Sequence, residues 1–196
     1  MTRAGRIGIC AWAAGLFLVA QAGGAWAQPA PQAGPGAHDG AHDFDFLIGS
    51  WRAHLKKLIN PLTGSTTWID YEGTSVTHKI LDSNANIEQF DVDSPAQHKH
   101  IHAQTLRLYN PLSRQWSVYG LDVDNGTLGL PATVGRFSDG QVELYDQEDW
   151  KGQDIQVRFV WSHSGSTSAR MVQSFSTDGG RTWEPNWICD LTRDGA

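Results

Sequence analysis

Three histidines, His98, His100 and His102, alternate with Lys99 and Ile101. Side chains two apart on an extended strand share a face, so a strand here would line up all three imidazoles. Neighbours two apart can chelate one ion. The outer pair lie about 13 Å apart at about 3.3 Å per residue, too far for one centre. A metal site at this position therefore takes two of the three plus a further ligand: His54, His78, His163 or a carboxylate. Haem-iron ligation by one of them is open on the same grounds. No His-x-x-x-His or Cys-x-x-Cys spacing accompanies them, and the pattern also reads as a solvated, histidine-rich strand end.

Two arginines raise a different chemistry. Arg107 and Arg158 each sit mid-strand between large apolar residues. Along 155–161 the set Ile155, Val157, Phe159 and Trp161 is uniformly apolar, with Gln156, Arg158 and Val160 opposite. If the apolar set faces inward, Arg158 meets solvent. If the other set faces inward, Arg158 can hold a ligand carboxylate bidentately. Gln173 and Asn186 pose the same question on their own strands. The ligand-binding set expected on these grounds is Arg107, Arg158, Trp161, Gln173 and Trp187.

Other candidates are weaker. Glu143, Asp146, Glu148 and Asp149 could pair as general acid and base, but an acidic run beside the Lys151-Gly152 turn also reads as a solvated face. Asp122-Val123-Asp124-Asn125-Gly126 lacks the sixth-position Gly and later Glu of a calcium loop, which leaves a hairpin turn. Cys189, set between Trp187 and Leu191, reads as a small buried hydrophobe. No nucleophile elbow, dinucleotide loop or phosphate loop occurs.

The elements that must carry these residues are strands. No helical period persists, whereas alternating β-branched and aromatic stretches recur between turn signals. Strands are expected over 51–59, 66–78, 86–92, 100–109, 116–123, 133–137, 142–145, 155–161, 169–175 and 183–192, with a short helical turn over 43–48 plugging one end. Asn125-Gly126 is a strong hairpin dipeptide because both residues tolerate positive φ. Roughly ten short strands joined mostly by hairpins predict an all-β fold: an antiparallel up-and-down barrel, whose closure removes exposed sheet edges. A β-sandwich is the rival.

Ahead of these strands the composition changes. Arg3 and Arg6, the apolar stretch Ile7 to Ala20 and the small-x-small site Ala25-Trp26-Ala27 match a secretory signal peptide over residues 1–27. The apolar run is too short for a stable membrane anchor. Export to the periplasm or beyond, with cleavage near Ala27, is the expectation. Residues 28–42, rich in Pro, Gly and Ala, read as a flexible tether. Residues 43–196 are then one domain of ordinary size, about 150 residues. Without Arg3 and Arg6 the formal net charge of −6 becomes −8, because no acid is lost with them. An acidic domain without a basic stripe argues against a nucleic-acid partner. Cys189 is the sole cysteine after the leader, so no internal disulfide is expected.

Two segments carry resemblances. Gly49-Ser50-Trp51 resembles the Gly-x-Trp entry strand of lipocalin-type (calycin) barrels. In that group the Trp packs at the closed base and an Arg from the last strand crosses its ring, and Arg193 is the positional match. Ser176-Thr177-Asp178-Gly179-Gly180-Arg181-Thr182-Trp183 fits the Ser-x-Asp-x-Gly-x-Thr-Trp pattern of an Asp-box. Here that is a hairpin device in which Asp178 accepts backbone N–H groups, Gly180 supplies unusual φ and Trp183 packs beneath. Over 43–193 the chain also resembles an uncharacterised bacterial family of exported lipocalin-like proteins grouped under a domain of unknown function. The matching stretches are 106–111, 135–137, 158–161 and 175–184. The resemblance implies a lipocalin-like fold and transfers no catalytic residue.

The functional expectation is an exported protein that binds a small hydrophobic or amphipathic molecule inside the barrel, lined by some of the seven tryptophans left after the leader. The alternatives are an isomerase or hydrolase working on a lipid-like substrate in the same cavity, and metal or haem binding through the histidine face. The sequence requires no cofactor and leaves the oligomeric state open.

Overall fold

The computed structural model describes residues 38–80 and 84–195. The expected leader, the tether up to residue 37 and the expected cleavage site lie outside the described residues. Eleven strands follow: β1 (Gly49–Leu58), β2 (Trp68–Lys79), β3 (Ala85–Ser94), β4 (Lys99–Asn110), β5 (Gln115–Asp122), β6 (Thr127–Leu128), β7 (Thr133–Ser138), β8 (Gln141–Trp150), β9 (Gln153–Ser164), β10 (Ser168–Ser176) and β11 (Glu184–Arg193). Ten of them close a ring of antiparallel pairs. Neighbours in sequence pair throughout, β5 passes to β7, and β1 returns to β11. β6 is a spur on the far end of β5. The fold is the closed antiparallel barrel, not the sandwich.

Alternation builds the interior. On β1, Trp51, Ala53 and Leu55 are buried while Arg52 and Lys56 are exposed. β8 departs from expectation. It runs to Trp150 instead of stopping at Tyr145, so the acidic run belongs to a strand and is divided between its faces. Val142, Leu144, Asp146 and Glu148 take the inner side, and Glu143 and Asp149 the outer. The acidic run reads from the sequence as a solvated face beside the Lys151-Gly152 turn, but a full ladder with β9 carries the strand through it.

The N-terminal segment closes one end. The expected helical turn is present as two 3₁₀ turns, Gly40–His42 and Asp45–Leu47. Phe44, between them, is fully buried, edge-on to Trp116 at 5.1 Å. Gly40 N–H donates to the Tyr109 hydroxyl (3.0 Å), and Gly40 C=O accepts from Trp116 Nε1 (2.8 Å). The ordered domain therefore begins before residue 43. Residues 40 and 41, read from composition as tether, are buried, with the Gly40 backbone bonded to Tyr109 and Trp116 and the Ala41 N–H donating to Asp39 Oδ1 (3.2 Å).

Trp51 sits at this base, 1% exposed, with its Nε1 donating to Leu47 C=O at 2.8 Å. Arg193, its ladder partner on β11, lays its guanidinium 3.8 Å from the Trp51 ring centroid. The same group donates to Ile48 C=O (2.5 Å) and Phe46 C=O (3.1 Å), tying the last strand to the entry segment. Gly49 has φ +111°, and a Cβ there would lie 2.6 Å from Arg193 Nη1. Both its conformation and its lack of a side chain are needed for the arginine to cross.

Candidate functional site

Above the aromatic base, the barrel interior becomes polar. Glu88 of β3 and Arg107 of β4 form an ion pair inside the barrel, with Arg107 2% exposed and Glu88 5% exposed. Arg107 Nη2 donates to Glu88 Oε2, and Nη1 donates to Asn86 Oδ1 at 3.1 Å. Ser75 Oγ donates to Glu88 Oε1 at 2.6 Å. The guanidinium also lies 5.3 Å from the Phe44 ring centroid and 5.5 Å from that of Trp161. Two charges removed from water persist when each finds its counter-charge and further hydrogen bonds. Arg107 Nε–H is buried with no acceptor among the described residues.

This pair borders a cavity of about 120 Å³. Phe90, Val118, Leu144, Phe159, Met171 and Trp187 supply its apolar walls, with Thr105, Thr133, Glu148 and Gln173 as polar points. Gln173 Nε2 donates to Asn186 Oδ1 at 2.7 Å, orienting the amide. Cys189 also lines the space. Burial pushes its thiol pKa far up, with the Glu88 and Asp190 charges adding to the effect, which disfavours the thiolate. Asp146, beside the cavity-lining Thr133 (3.4 Å), has its carboxyl pKa raised by burial.

The barrel wall is incomplete next to this cavity. β5 pairs with β7 only over Trp116–Val118, and its far end, Leu121 and Asp122, pairs with β6. β7 meets β8 only as far as Tyr145, leaving the Asp146–Trp150 half of β8 paired with β9 alone. Gly120, Thr133 and Glu148 face the cavity along this interruption. Leu128 and Leu130, just outside it, are 48% and 65% exposed.

Four of the five expected ligand-binding residues, Arg107, Trp161, Gln173 and Trp187, line this one cavity. Arg158 does not. It lies on the outer face of β9, its guanidinium 4.5 Å from the Trp183 ring centroid, because Ile155, Val157, Phe159 and Trp161 form the inner set. The tryptophans divide between the two levels. Two line the cavity, whereas Trp51 and Trp116 pack the base.

The Asp-box forms a tight hairpin end. Asp178 accepts from Thr182 Oγ1 (2.6 Å), Thr182 N–H (2.9 Å), Arg181 N–H (3.0 Å) and Ser176 Oγ (2.8 Å). Those donors, led by Thr182, hold its pKa far below the ordinary carboxylate value. Gly180 has φ +82°, with Trp183 packed where a Cβ would project.

The histidines separate. His98 is the left-handed residue (φ 51°) ending the 3₁₀ turn Pro95–Gln97, outside the strand, so it does not share the expected face. His100 and His102 do share the outer face of β4, opposite Asp93 and Asp91. Sequence reading passed over Glu88 and Asp91. On β3, Phe90 and Val92 mark one face as inward, and Glu88 shares their parity, which makes it a buried acid in need of a cation. Asp91 follows from hairpin register once the short 95–98 link is recognised as a turn.

No family model matches the chain, and no curated protein matches it. Among solved structures, the chain is similar to the S-type phycobiliprotein lyase CPES from Guillardia theta. The TM-score is 0.55 and the identity 11%, with 82% of this chain and 96% of that one covered. At that identity the similarity establishes a common lipocalin-like barrel architecture.

Proposed function

We propose that this protein binds a small, partly apolar molecule inside its barrel. The observation that carries the reading is the cavity of about 120 Å³ between apolar walls and the buried Arg107–Glu88 pair. A dry engineered cavity of about 150 Å³ accepts benzene, so this one takes a group of about one ring. Arg107 supports an acceptor atom on the ligand, since its Nε–H has no acceptor of its own. The Glu88 counter-charge argues against a strong anion. The interruption in the ladder beside β8, lined by Gly120, Thr133 and Glu148, is the entry route of this proposal. The neighbour with the same architecture is a phycobiliprotein lyase by name, which supports a barrel used as a small-molecule site.

Export belongs to the same proposal, supported by Arg3, Arg6, the apolar 7–20 stretch and Ala25-Trp26-Ala27. So does membership of the exported lipocalin-like family, supported by the stretches at 106–111 and 175–184. Among the described residues no helix is long and apolar enough to cross a membrane.

The test is native mass spectrometry with a panel of one- and two-ring ligands on the wild type and on Ala103→Phe, which fills the cavity from β4. Binding by the wild type and loss in the folded variant is the expected result. Equal binding by both places the ligand elsewhere. A second reading, an enzyme acting in the same cavity, draws on one observation: Glu88, Glu148 and Arg107 border a single space. In that case Glu148→Gln retains binding and loses turnover.

A further inference from the structure

The outer face of the β3–β4 hairpin carries a second constellation, unrelated to the cavity. Asp91, His100 and His102 each offer one ligand atom, and these three atoms lie within 4.8 Å of one another. Asp91 Oδ2 stands 3.1 Å from His102 Nδ1 and 3.9 Å from His100 Nε2. The backbone explains the grouping. In the β3–β4 register Asp91 faces His102 and Asp93 faces His100, while His100 and His102 are two apart on one strand.

We infer that Asp91, His100 and His102 form a binding site for a divalent transition-metal ion of the zinc type. Two imidazoles and a carboxylate suit such an ion, and three protein ligands leave a fourth position to water. A tetrahedral centre with bonds of about 2.0–2.2 Å needs ligand atoms about 3.4 Å apart. The present spacing brackets that value, and closing it takes a shift of about 1 Å, within reach of small χ adjustments in three exposed side chains.

A further observation supports the site. The other nitrogen of His100, Nδ1, lies 2.8 Å from Asp93 Oδ1. In the Nδ1–H tautomer His100 donates to Asp93 and presents the Nε2 lone pair towards Asp91. Carboxylates behind metal-bound histidines orient the ring in this way and raise its basicity. On β1–β2, His54 lies beside Asp70 (3.0 Å) and Glu72 (3.7 Å), with a single imidazole in that group. His98 takes no part, because it lies in the turn before β4 begins.

The experiment titrates the purified protein with Co²⁺ and Zn²⁺, following Co²⁺ by its visible d–d bands and Zn²⁺ by calorimetry. One ion per chain, strong tetrahedral-type Co²⁺ bands and displacement of Co²⁺ by Zn²⁺ are expected. His100→Ala/His102→Ala abolishes binding, and Asp91→Asn weakens it. Asp93→Asn lowers affinity about 10- to 100-fold without changing stoichiometry. All four side chains are exposed, so the variants fold, which far-UV circular dichroism verifies. Absence of stoichiometric binding by the wild type overturns the inference. So does binding of equal affinity in the double histidine variant, which would move the ion to another group such as His54. Neither result bears on the cavity.

Discussion

The closed base and the cavity share one barrel but solve its interior in opposite ways. At the base, Phe44, Leu47, Trp51 and Trp116 are almost completely buried, and the polar atoms among them find backbone partners: Trp51 reaches Leu47 C=O, and Trp116 reaches Gly40 C=O. Beyond the base, β3 and β4 carry a buried ion pair and an orphan N–H beside open space. Filling with large aromatics and a hydrogen-bonded plug gives one end rigidity. Leaving charge and volume at the next level is costly for folding.

Breaking the ion pair should have the largest effect. Glu88→Ala strands the Arg107 charge and should lower unfolding free energy by about 3–5 kcal/mol. Replacing both partners, as Arg107→Met with Glu88→Leu, should restore most of it, measured by urea denaturation. A double variant as unstable as the single would show that the pair is not what organises this level. Phe44→Ala at the base should cost about 3–5 kcal/mol. Met171→Ala, at the cavity, should cost nearer 2 kcal/mol, because one side of Met171 already faces open space. Equal losses would erase the contrast between the two regions.

Arg193→Ala should cost about 1–3 kcal/mol through its two charged donations to the entry segment and its position over Trp51. Trp51 fluorescence should shift as the plug loosens, with ligand binding in the cavity little changed.

The smallest effect concerns the Asp-box. Asp178 has a lowered pKa, so its stabilising bonds are fully present above the ordinary carboxylate value near 3.8 and weaken only as pH falls well below it. The Thr182 amide resonance should therefore hold steady through roughly pH 3–5, where free aspartates titrate. A midpoint at the ordinary value would contradict the bond network around Asp178.

Strand positions were legible because alternation is local: nine of the ten barrel strands begin and end within a few residues of the expectation. β8 was cut short because the apolar alternation stops at Tyr145 and gives way to a run of acids, and only the ladder with β9 reveals a continuing strand. Trp51 and Arg193 were legible as a pair only through the resemblance of Gly49-Ser50-Trp51 to the lipocalin entry strand, which implies an arginine of the last strand across the ring. Arg158 was ambiguous from alternation alone. The packing of Phe159 and Trp161 inside decided it, and Trp183 gave the arginine a partner outside.

By itself, then, the sequence determined the period-2 pattern, the turn positions, the all-β class and the short segment that plugs the base. These depend on neighbours in the chain and on which faces are apolar. Tertiary structure alone decided that Glu88 neutralises Arg107, that the interior keeps a cavity beside an interrupted wall, and that Asp91 joins His100 and His102 in place of His98. Each of these depends on register and ring closure, which bring together residues from different strands, and a linear pattern does not encode the distance between them.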